Sequence, residues 1–388
     1  MECLVVSQGE HALVNQLDQG MHVDFSDPDL AIQKIRKRLQ QTPVQGVIGT
    51  DDTTIEIAAQ LAARLGLRHN TPAAARLSRR KDLARQQLQQ ANLPLPDTWL
   101  IDRQQPLADQ ISPVRFPCVA KPLSLSGSRG VIRADNPTSL QQTLLRIGKI
   151  LDQEGLADEY ERQHILIESF LPGPEVAFEG LLSNGELRAL ALFDKPDPLD
   201  GPFFEETYYI TPSRHPPELM EKVRQRVDQA CQAYGLREGS VHAECRLADG
   251  DAWILELASR TIGGQCARLI QFATGRSLES LILSHASGLP SEQVSISGAA
   301  GVLMIPIEQT GILRRVEGIA EALKVTGIVD LEISVQQGYE LIPLPEGASY
   351  LGFIFARAET AQQVEQALRT AFASLKIVTA PVLAVQPL

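Results

Sequence analysis

The stretch Phe116-Pro-Cys-Val-Ala-Lys-Pro-Leu-Ser-Leu-Ser-Gly-Ser-Arg-Gly-Val131 is an apolar strand that carries one lysine, Lys121, and runs straight into a loop of glycine and serine. A lysine on a buried strand presents a point charge, and small loop residues let several backbone N–H groups converge on an anion. The stretch therefore predicts a phosphate site. A strand followed by an ordinary flexible turn is the alternative.

The length and charge of the chain limit what it can be. Its 388 residues suggest about two to four domains or lobes, and 44% hydrophobic with 21% charged residues is typical of globular proteins. The net charge of -11 argues against broad binding to nucleic acid or to anionic membranes. A mononucleotide needs only a local basic pocket, so it remains compatible with this charge.

Two further features bear on location. No run approaches the ~20 apolar residues of a membrane span, and the first ten residues have no basic stretch before their apolar run. The five cysteines are scattered and never form Cys-x-x-Cys, which predicts small core residues in a reducing compartment, without disulfides or a zinc site. We therefore expect a cytoplasmic protein with neither nucleic-acid nor membrane partners.

Short apolar runs alternate with amphipathic helices over residues 1–95. The runs are residues 3–6 and 46–49, and the helices lie near residues 28–40 and 55–65. This order predicts a small, doubly wound parallel sheet. Asp51 and Asp52 follow the second run. They lie either at the sheet edge where such sheets bind ligands or at the position that caps the next helix.

A basic helix begins at Ser78 and carries Arg79, Arg80 and Lys81 in its first turn. Like charges there oppose the helix macrodipole, so a nearby anion would explain them. For Arg79 and Arg80 we expect the more ordinary arrangement, a solvated basic face.

The next features are a bend and a loop. Beyond a helix at residues 136–154, an apolar strand leaves through the bend Glu168-Ser-Phe-Leu-Pro-Gly-Pro-Glu175. Such a bend can present backbone groups to a flat heterocycle, or it can be a plain hairpin corner. The loop at residues 195–202 is dense in proline and glycine, which favours a lid or a surface excursion.

A hairpin carries the candidate metal ligands. Residues 241–247 and 253–257 read as two strands joined by a tight turn, which can place Glu244 beside Glu256 on one face. Two adjacent carboxylates repel unless they share a cation, so a hard divalent metal is their natural partner, with solvent exposure as the alternative. Arg260 follows, next to two glycines, where it can meet a phosphate or carboxylate.

Taken in order, these features resemble the ATP-grasp superfamily, and within it the carboxylate–amine ligases of the L-amino acid ligase (dipeptide synthetase) type. The resemblance covers nearly the whole chain. It implies an ATP-grasp fold of mixed α/β and α+β class. The expected units are a doubly wound N-terminal domain (1–95), a small lobe (96–165), a central or large lobe (166–298) and a small C-terminal α+β module (299–388), in which no catalytic constellation is visible.

The resemblance also implies how ATP binds. Lys81 and Lys121 would contact its phosphates, and the loop that contains Ser126, Gly127, Ser128 and Gly130 would close over them. Glu168 would receive the adenine amino group, Phe170 and Leu171 would border the ring, and Glu175 would accept the ribose hydroxyls.

By the same resemblance, Glu244 and Glu256 would hold Mg²⁺, which Mn²⁺ could replace, and Arg260 would act with Lys121 in catalysis by stabilising an acyl phosphate. One residue departs from the pattern. Many ATP-grasp enzymes have Glu-x-Asn at the second metal position, and this chain has Ala258 in place of the asparagine. The number of metal ions is therefore open.

The implied function is an ATP- and Mg²⁺-dependent ligase that activates a small carboxylic acid, expected to be an amino acid, and joins it to an amine. An ATP-grasp carboxylase that uses bicarbonate is one alternative, and a nucleotide-binding regulatory protein without turnover is another. The expected partners are small-molecule carboxylate and amine substrates, and a homodimer is a further option.

Overall fold

The computed structural model of the protein describes residues 2–8, 19–40, 42–156, 158–289 and 297–382. Within these ranges, no helix is both long enough and apolar enough to cross a membrane.

The N-terminal segment pairs two short parallel strands and packs helices beside them. The elements are β1 (Val5–Ser7), β2 (Gly20–His22), α1 (Pro28–Leu39), α2 (Ile55–Leu65), α3 (Pro72–Leu77) and α4 (Lys81–Gln90). The helices begin and end as their sequence predicts: Asp27 caps α1, and Gly66 ends α2 in the left-handed conformation. The predicted strand at residues 46–49 is wrong, since that run is not in a strand and β2 takes its place in the pair.

The small lobe is a four-stranded antiparallel sheet with a long helix on one face. Its elements are β3 (Thr98–Asp102), α5 (Leu107–Ile111), β4 (Cys118–Pro122), β5 (Ile132–Ala134), α6 (Pro137–Glu154), α7 (Glu159–Gln163) and β6 (His164–Ser169), in the strand order β3-β6-β4-β5. Leucine and isoleucine at helical spacing on α6 bury against the sheet. This packing fixes β4, which carries Lys121, as the opening stretch predicts.

The large lobe is built on a longer sheet. Its elements are β7 (Glu175–Ser183), β8 (Glu186–Lys195), β9 (Tyr208–Thr211), α8 (Pro217–Tyr234), β10 (Gly239–Ala248), β11 (Asp251–Ala258), α9 (Ala267–Thr274) and α10 (Leu278–Ala286). The predicted hairpin is β10 and β11, and Gly235 ends α8 in the left-handed conformation. Four cysteines are buried core residues, while Cys3 is exposed.

The C-terminal segment contains β12 (Ala299–Ile305), β13 (Gly311–Glu317), α11 (Ile319–Ala322), β14 (Ile328–Ile333), β15 (Glu340–Leu341), β16 (Gly352–Ala358), α12 (Ala361–Ala373) and β17 (Lys376–Ala380). Three of its strands extend the sheet of the large lobe, in the order β11-β10-β7-β8-β9-β12-β16-β14, and β15-β13-β17 form a second small sheet. The module therefore shares a sheet with the lobe before it and is less separate than its composition suggests. The domain boundaries themselves stay a prediction.

Candidate active site

A cleft between the small-lobe sheet and the large sheet contains almost all of the predicted site residues. The cleft opens to solvent, and its walls combine apolar side chains with a few charged groups, as is usual for small-molecule sites. The predicted residues that line it are Lys81, Lys121, Ser126, Gly127, Ser128, Glu168, Phe170, Leu171, Glu175, Glu244, Glu256 and Arg260.

Lys121 lies at the back of the cleft in a buried ion-pair network. Its Nζ is 2.6 Å from the Glu168 carboxylate, which also receives a 2.6 Å hydrogen bond from Arg85. Burial alone would raise the pKa of Glu168, but Arg85 and Lys121 bring it down to about 2. The network therefore holds the hinge carboxylate ionised between two cations.

Arg85 was missed by the sequence interpretation, and it links the hinge to the hairpin. Besides Glu168, its guanidinium donates to the carbonyls of Ile254 (3.1 Å) and Leu255 (2.6 Å). These residues form a β-bulge directly before Glu256, and bulges next to a site re-aim a side chain. No sequence pattern singles out Arg85 on α4, because its partners lie far along the chain.

Lys81 at the start of α4 faces the loop after β4. Its Nζ donates to the Leu125 carbonyl at 2.8 Å and is 3.5 Å from the Glu256 carboxylate, and its N–H donates to the Leu123 carbonyl. Lys81 therefore contacts both the loop and one of the predicted metal ligands.

The glycine- and serine-rich loop needs its small residues. Gly127, Ser128 and Gly130 all have positive φ, and a Cβ on Gly130 would lie 2.8 Å from a side-chain carbon of Pro122. Gly130 is the one predicted nucleotide residue outside the cleft lining, and its N–H donates to the Pro345 carbonyl. The C-terminal segment thus holds the end of this loop.

The bend after β6 supplies the apolar part of the cleft. The N–H of Phe170 donates to the Pro117 carbonyl, and its ring lies 4.4 Å from the guanidinium carbon of Arg133. Phe170 and Leu171 both line the cleft, where a flat ring could pack against them.

Glu244 and Glu256 are directly opposite one another on β10 and β11. Their side chains are 21% and 31% exposed, so both reach the cleft without being on the open surface. Carboxylates at opposed strand positions supply the kind of oxygen ligand that a hard divalent cation prefers. Ala258, opposite His242, is 1% exposed and adds no ligand.

A cluster that the sequence interpretation missed surrounds Glu175. Lys195 contacts Glu206, lies 2.6 Å from Glu175 and is 3.4 Å from Glu244. Tyr209 donates a 2.6 Å hydrogen bond to Glu206. The carboxylates outweigh burial and raise the pKa of Lys195 well above its ordinary value, so it stays an ammonium.

His242, on the same strand as Glu244, completes that wall. Burial lowers the pKa of His242, but the carboxylates of Glu179 and Glu244, each 3.6 Å from its ring, raise it to about 9. His242, Glu244 and Arg246 alternate along β10, and all three line the cleft. The cleft walls also include Met304 and Tyr350, so the C-terminal module contributes to the site although no catalytic pattern is visible in its sequence.

Arg260 reaches the cleft while paired to the N-terminal segment. Its guanidinium donates two 2.8 Å hydrogen bonds to Asp52, and both side chains are about 15% exposed. Neighbouring Asp51 instead accepts from the N–H groups of Thr53 and Thr54 in a turn just before α2, whose N-cap residue is Thr54.

The expectation of a solvated face at Arg79 and Arg80 is wrong. Arg80 is 3% exposed and pairs with Asp82 at 2.8 Å, and Arg79 donates two hydrogen bonds to Glu161. Asp82, two residues along the chain, compensates Arg80, and Glu161 of the small lobe compensates Arg79. A single sequence does not reveal a long-range partner such as Glu161.

Family models agree with this architecture. The ATP-grasp N-terminal domain matches residues 4–69, the ATP-grasp domain matches residues 114–268, and the L-amino acid ligase C-terminal domain 2 matches residues 303–380. The chain belongs to the ATP-grasp superfamily. The predicted ATP-grasp fold of mixed helices and sheets is confirmed.

Individual relatives show which class of ATP-grasp enzyme the chain resembles. The crystal structure of an L-amino acid ligase from Bacillus licheniformis superimposes with a TM-score of 0.77 at 25% identity, covering 92% of this chain and 87% of that one. Dapdiamide A synthase from Enterobacter agglomerans is 26% identical over 163 residues, 42% of this chain and 37% of the relative. The chain is an ATP-dependent, ADP-forming carboxylate–amine ligase of the L-amino acid ligase type.

Two more distant relatives say less about the class of enzyme. An uncharacterized protein of Sinorhizobium fredii is 21% identical over 359 residues, 91% of this chain and 72% of the relative. The N5-carboxyaminoimidazole ribonucleotide synthetase of Thermotoga maritima has a TM-score of 0.68 at 16% identity, covering 97% and 92% of the two chains. The latter likeness concerns the fold alone.

Proposed function

We propose that this ligase activates the carboxylate of an amino acid as an acyl phosphate and joins it to an amine, releasing ADP and phosphate and forming an amide or dipeptide. The observation that carries the proposal is the pairing of Glu244 with Glu256 in a cleft that also contains Lys81, Lys121 and Arg260. A carboxylate needs a better leaving group than oxide before an amine can displace it, and phosphorylation provides one.

ATP would lie along the cleft between the two sheets. Phe170 and Leu171 would border the adenine ring, Glu168 would receive the adenine amino group, and Glu175 would accept the ribose hydroxyls. The lysines at positions 81 and 121 and the loop of residues 126–130 would surround the phosphates, where fixed positive charge stabilises the charge that spreads over the transferred group.

Glu244 and Glu256 would hold Mg²⁺, and the residues present fit that ion because they offer opposed carboxylate oxygens inside a partly closed cleft. Bound there, the ion would neutralise phosphate charge and orient the γ-phosphate. Lys81 lies 3.5 Å from Glu256 and would hold that carboxylate toward the phosphates.

Arg260 would act on the second half of the reaction. Its planar guanidinium can donate two hydrogen bonds to the acyl phosphate, and it would stabilise the tetrahedral intermediate and the departing phosphate. Water must be kept out meanwhile, because it would hydrolyse the activated acyl group. The loops at residues 126–130 and 195–202 would exclude it.

The test is a substrate screen with the full chain. Purified protein with ATP and Mg²⁺ should release ADP with particular pairs of amino acids, and mass spectrometry should find the matching condensation product. Binding of ATP without ADP release from any amino acid pool would contradict the proposal. ADP release stimulated by bicarbonate alone would favour the carboxylase alternative.

A further inference from the structure

The glycine- and serine-rich loop after β4 is held from two distant parts of the chain. At its start, the Lys81 Nζ donates to the Leu125 carbonyl at 2.8 Å. At its end, the N–H of Gly130 donates to the carbonyl of Pro345 in the C-terminal segment at 3.0 Å. The loop that is proposed to cover the phosphates is therefore attached at one end to a module in which no catalytic pattern is visible in the sequence.

Residues 343–350, which lie between β15 and β16, make further contacts with the small lobe through Glu346. The Nε of Arg129, in the loop, donates to the Glu346 carbonyl at 2.8 Å. The guanidinium of Arg146, on α6, donates to both oxygens of the Glu346 carboxylate, at 2.6 and 2.8 Å. Glu346 thus contacts the loop through its backbone and the small-lobe helix through its side chain.

The shape of the 343–350 segment is fixed by its own turn and by the core behind it. A Cβ on Gly347 would lie 1.9 Å from the Ile342 carbonyl oxygen, so the turn requires glycine. Leu351, directly after the segment, is fully buried in the C-terminal module, and Tyr350 lines the cleft. The segment therefore connects the end of the loop to a wall of the same cleft.

The Arg146–Glu346 ion pair is too exposed to contribute much to the stability of the fold. Its side chains are 45% and 41% exposed, and ion pairs of this kind are usually weak. The hydrogen bonds from Arg146 outweigh the effect of burial and hold the pKa of Glu346 below its usual range, so the carboxylate is ionised at neutral pH. Because the pair joins the small lobe to the C-terminal module, its main effect should be on how closely the segment and the loop stay together.

We propose that Glu346 is a positioning residue of the ligase reaction, because its contacts with Arg129 and Arg146 hold the glycine- and serine-rich loop over the cleft. This inference rests on the proposed function, in which that loop keeps water from the acyl phosphate. When the loop leaves the cleft, water attacks the acyl carbon, the bond from that carbon to the phosphate oxygen breaks, and phosphate and the free carboxylic acid are released. Release of the loop therefore raises the amount of ADP formed per molecule of condensation product.

Trypsin cleavage after Arg129 measures release of the loop without any turnover. The bond that trypsin cuts there joins Arg129 to Gly130, whose N–H is bonded to Pro345, so cleavage requires this contact to open. The cleavage rate follows the population of the open form when opening and closing are fast. Mass spectrometry of the fragments separates this site from other cleavage sites in the full chain.

Glu346→Gln should raise the rate of this cleavage roughly 1.5- to 5-fold, which is the population shift that an exposed ion pair supports. Glu346→Lys places a like charge beside Arg146 and should raise the rate further. Adding Arg146→Glu to that variant brings opposite charges together again and should reverse much of the increase. Glu340→Gln, which removes an exposed carboxylate on β15 of the same module, is the matched control and should behave as wild type.

The second measurement is the ratio of ADP to condensation product, with a pair of amino acids that the substrate screen identifies. Glu346→Gln should raise this ratio by a factor similar to its effect on cleavage, while its thermal unfolding curve should match that of the wild type. A merely structural role would lower the amount of folded enzyme and leave the ratio unchanged.

Two results would overturn the inference while leaving the proposed function intact. One is cleavage after Arg129 at the wild-type rate in both Glu346→Gln and Glu346→Lys, which would show that Glu346 does not hold the loop. The other is faster cleavage with an unchanged ratio of ADP to product, which would show that the reaction does not depend on this contact. Absence of ADP release with every amino acid pool would instead remove the proposed function and the role in the reaction with it, and the cleavage rates would still decide whether Glu346 holds the loop.

Discussion

Arg260 donates two hydrogen bonds, each 2.8 Å long, to the carboxylate of Asp52, a residue 208 positions earlier in the chain. Burial lowers the pKa of Arg260, but Asp52 raises it above its ordinary value, so the guanidinium is fully charged and fixed in direction. The N-terminal segment thus orients a group that the proposed reaction requires in the cleft.

The Asp52–Arg260 pair predicts a variant with a selective defect. Asp52→Asn keeps the shape but removes the charge, so Arg260 loses its orientation and kcat should fall on the order of 10-fold or more, since small misplacements are costly. The KM for ATP should stay near its wild-type value because Asp52 does not line the cleft. Steady-state ADP release measures both. A raised KM for ATP with unchanged kcat would contradict this role.

The opposed carboxylates predict loss of turnover without loss of the fold. Glu256→Gln should reduce ADP formation about 10²-fold or more, because the variant loses one metal-ligand charge. A regulatory protein without turnover would lose little of its function. Glu332→Gln, on the edge strand of the same sheet, is the control because Glu332 is exposed and far along the sheet from β11. ADP release with matched thermal unfolding curves separates chemistry from stability.

The Glu168 network predicts a particular dependence of stability on pH. The pKa of Glu168 in the folded protein, about 2, lies below the ordinary glutamate pKa of 4.5, so its contribution to stability is present above pH 4.5 and is lost as pH falls toward 2. Glu168→Gln leaves the buried charges of Lys121 and Arg85 without their carboxylate partner. At pH 7 it should therefore lower the free energy of unfolding by roughly 3–5 kcal/mol. Urea unfolding at pH 7, 5, 4 and 3 should show this difference shrinking with acidity. A difference that is constant from pH 5 to pH 3 would show that Glu168 is not ionised in the folded protein.

Gly264 and Met304 predict a coupling between two positions that are distant in sequence. Gly264→Ala puts a Cβ 2.4 Å from the Met304 sulfur and also strains a backbone with φ of 59°, so it should destabilise the fold by about 1–3 kcal/mol. Met304→Ala in the same chain should recover the steric part and leave the backbone part. A double-mutant cycle by thermal unfolding measures this interaction. Strict additivity of the two variants would show that the residues do not touch.

Local patterns in the sequence were enough to predict most of the elements and much of the cleft. The strand that carries Lys121, the bend after Glu168 and the hairpin of Glu244 and Glu256 all lie where their spacing predicted. The roles of individual residues toward ATP, metal and substrate stay predictions. The prediction of a strand at residues 46–49 was wrong because an apolar run that pairs with a neighbouring strand and one that does not have the same sequence pattern.

What the sequence by itself determined is the set of periodic and turn-forming segments, because helical spacing, strand alternation and glycine positions are properties of neighbouring residues. Only the tertiary structure decided which charges meet. The pairs Arg85–Glu168, Lys195–Glu206 and Arg260–Asp52 join segments whose order along the chain says nothing of their distance in space. Burial makes these contacts important for stability, since a charge removed from water requires a partner. Lys121, the lysine of the strand that precedes the glycine- and serine-rich loop, has such a partner in Glu168.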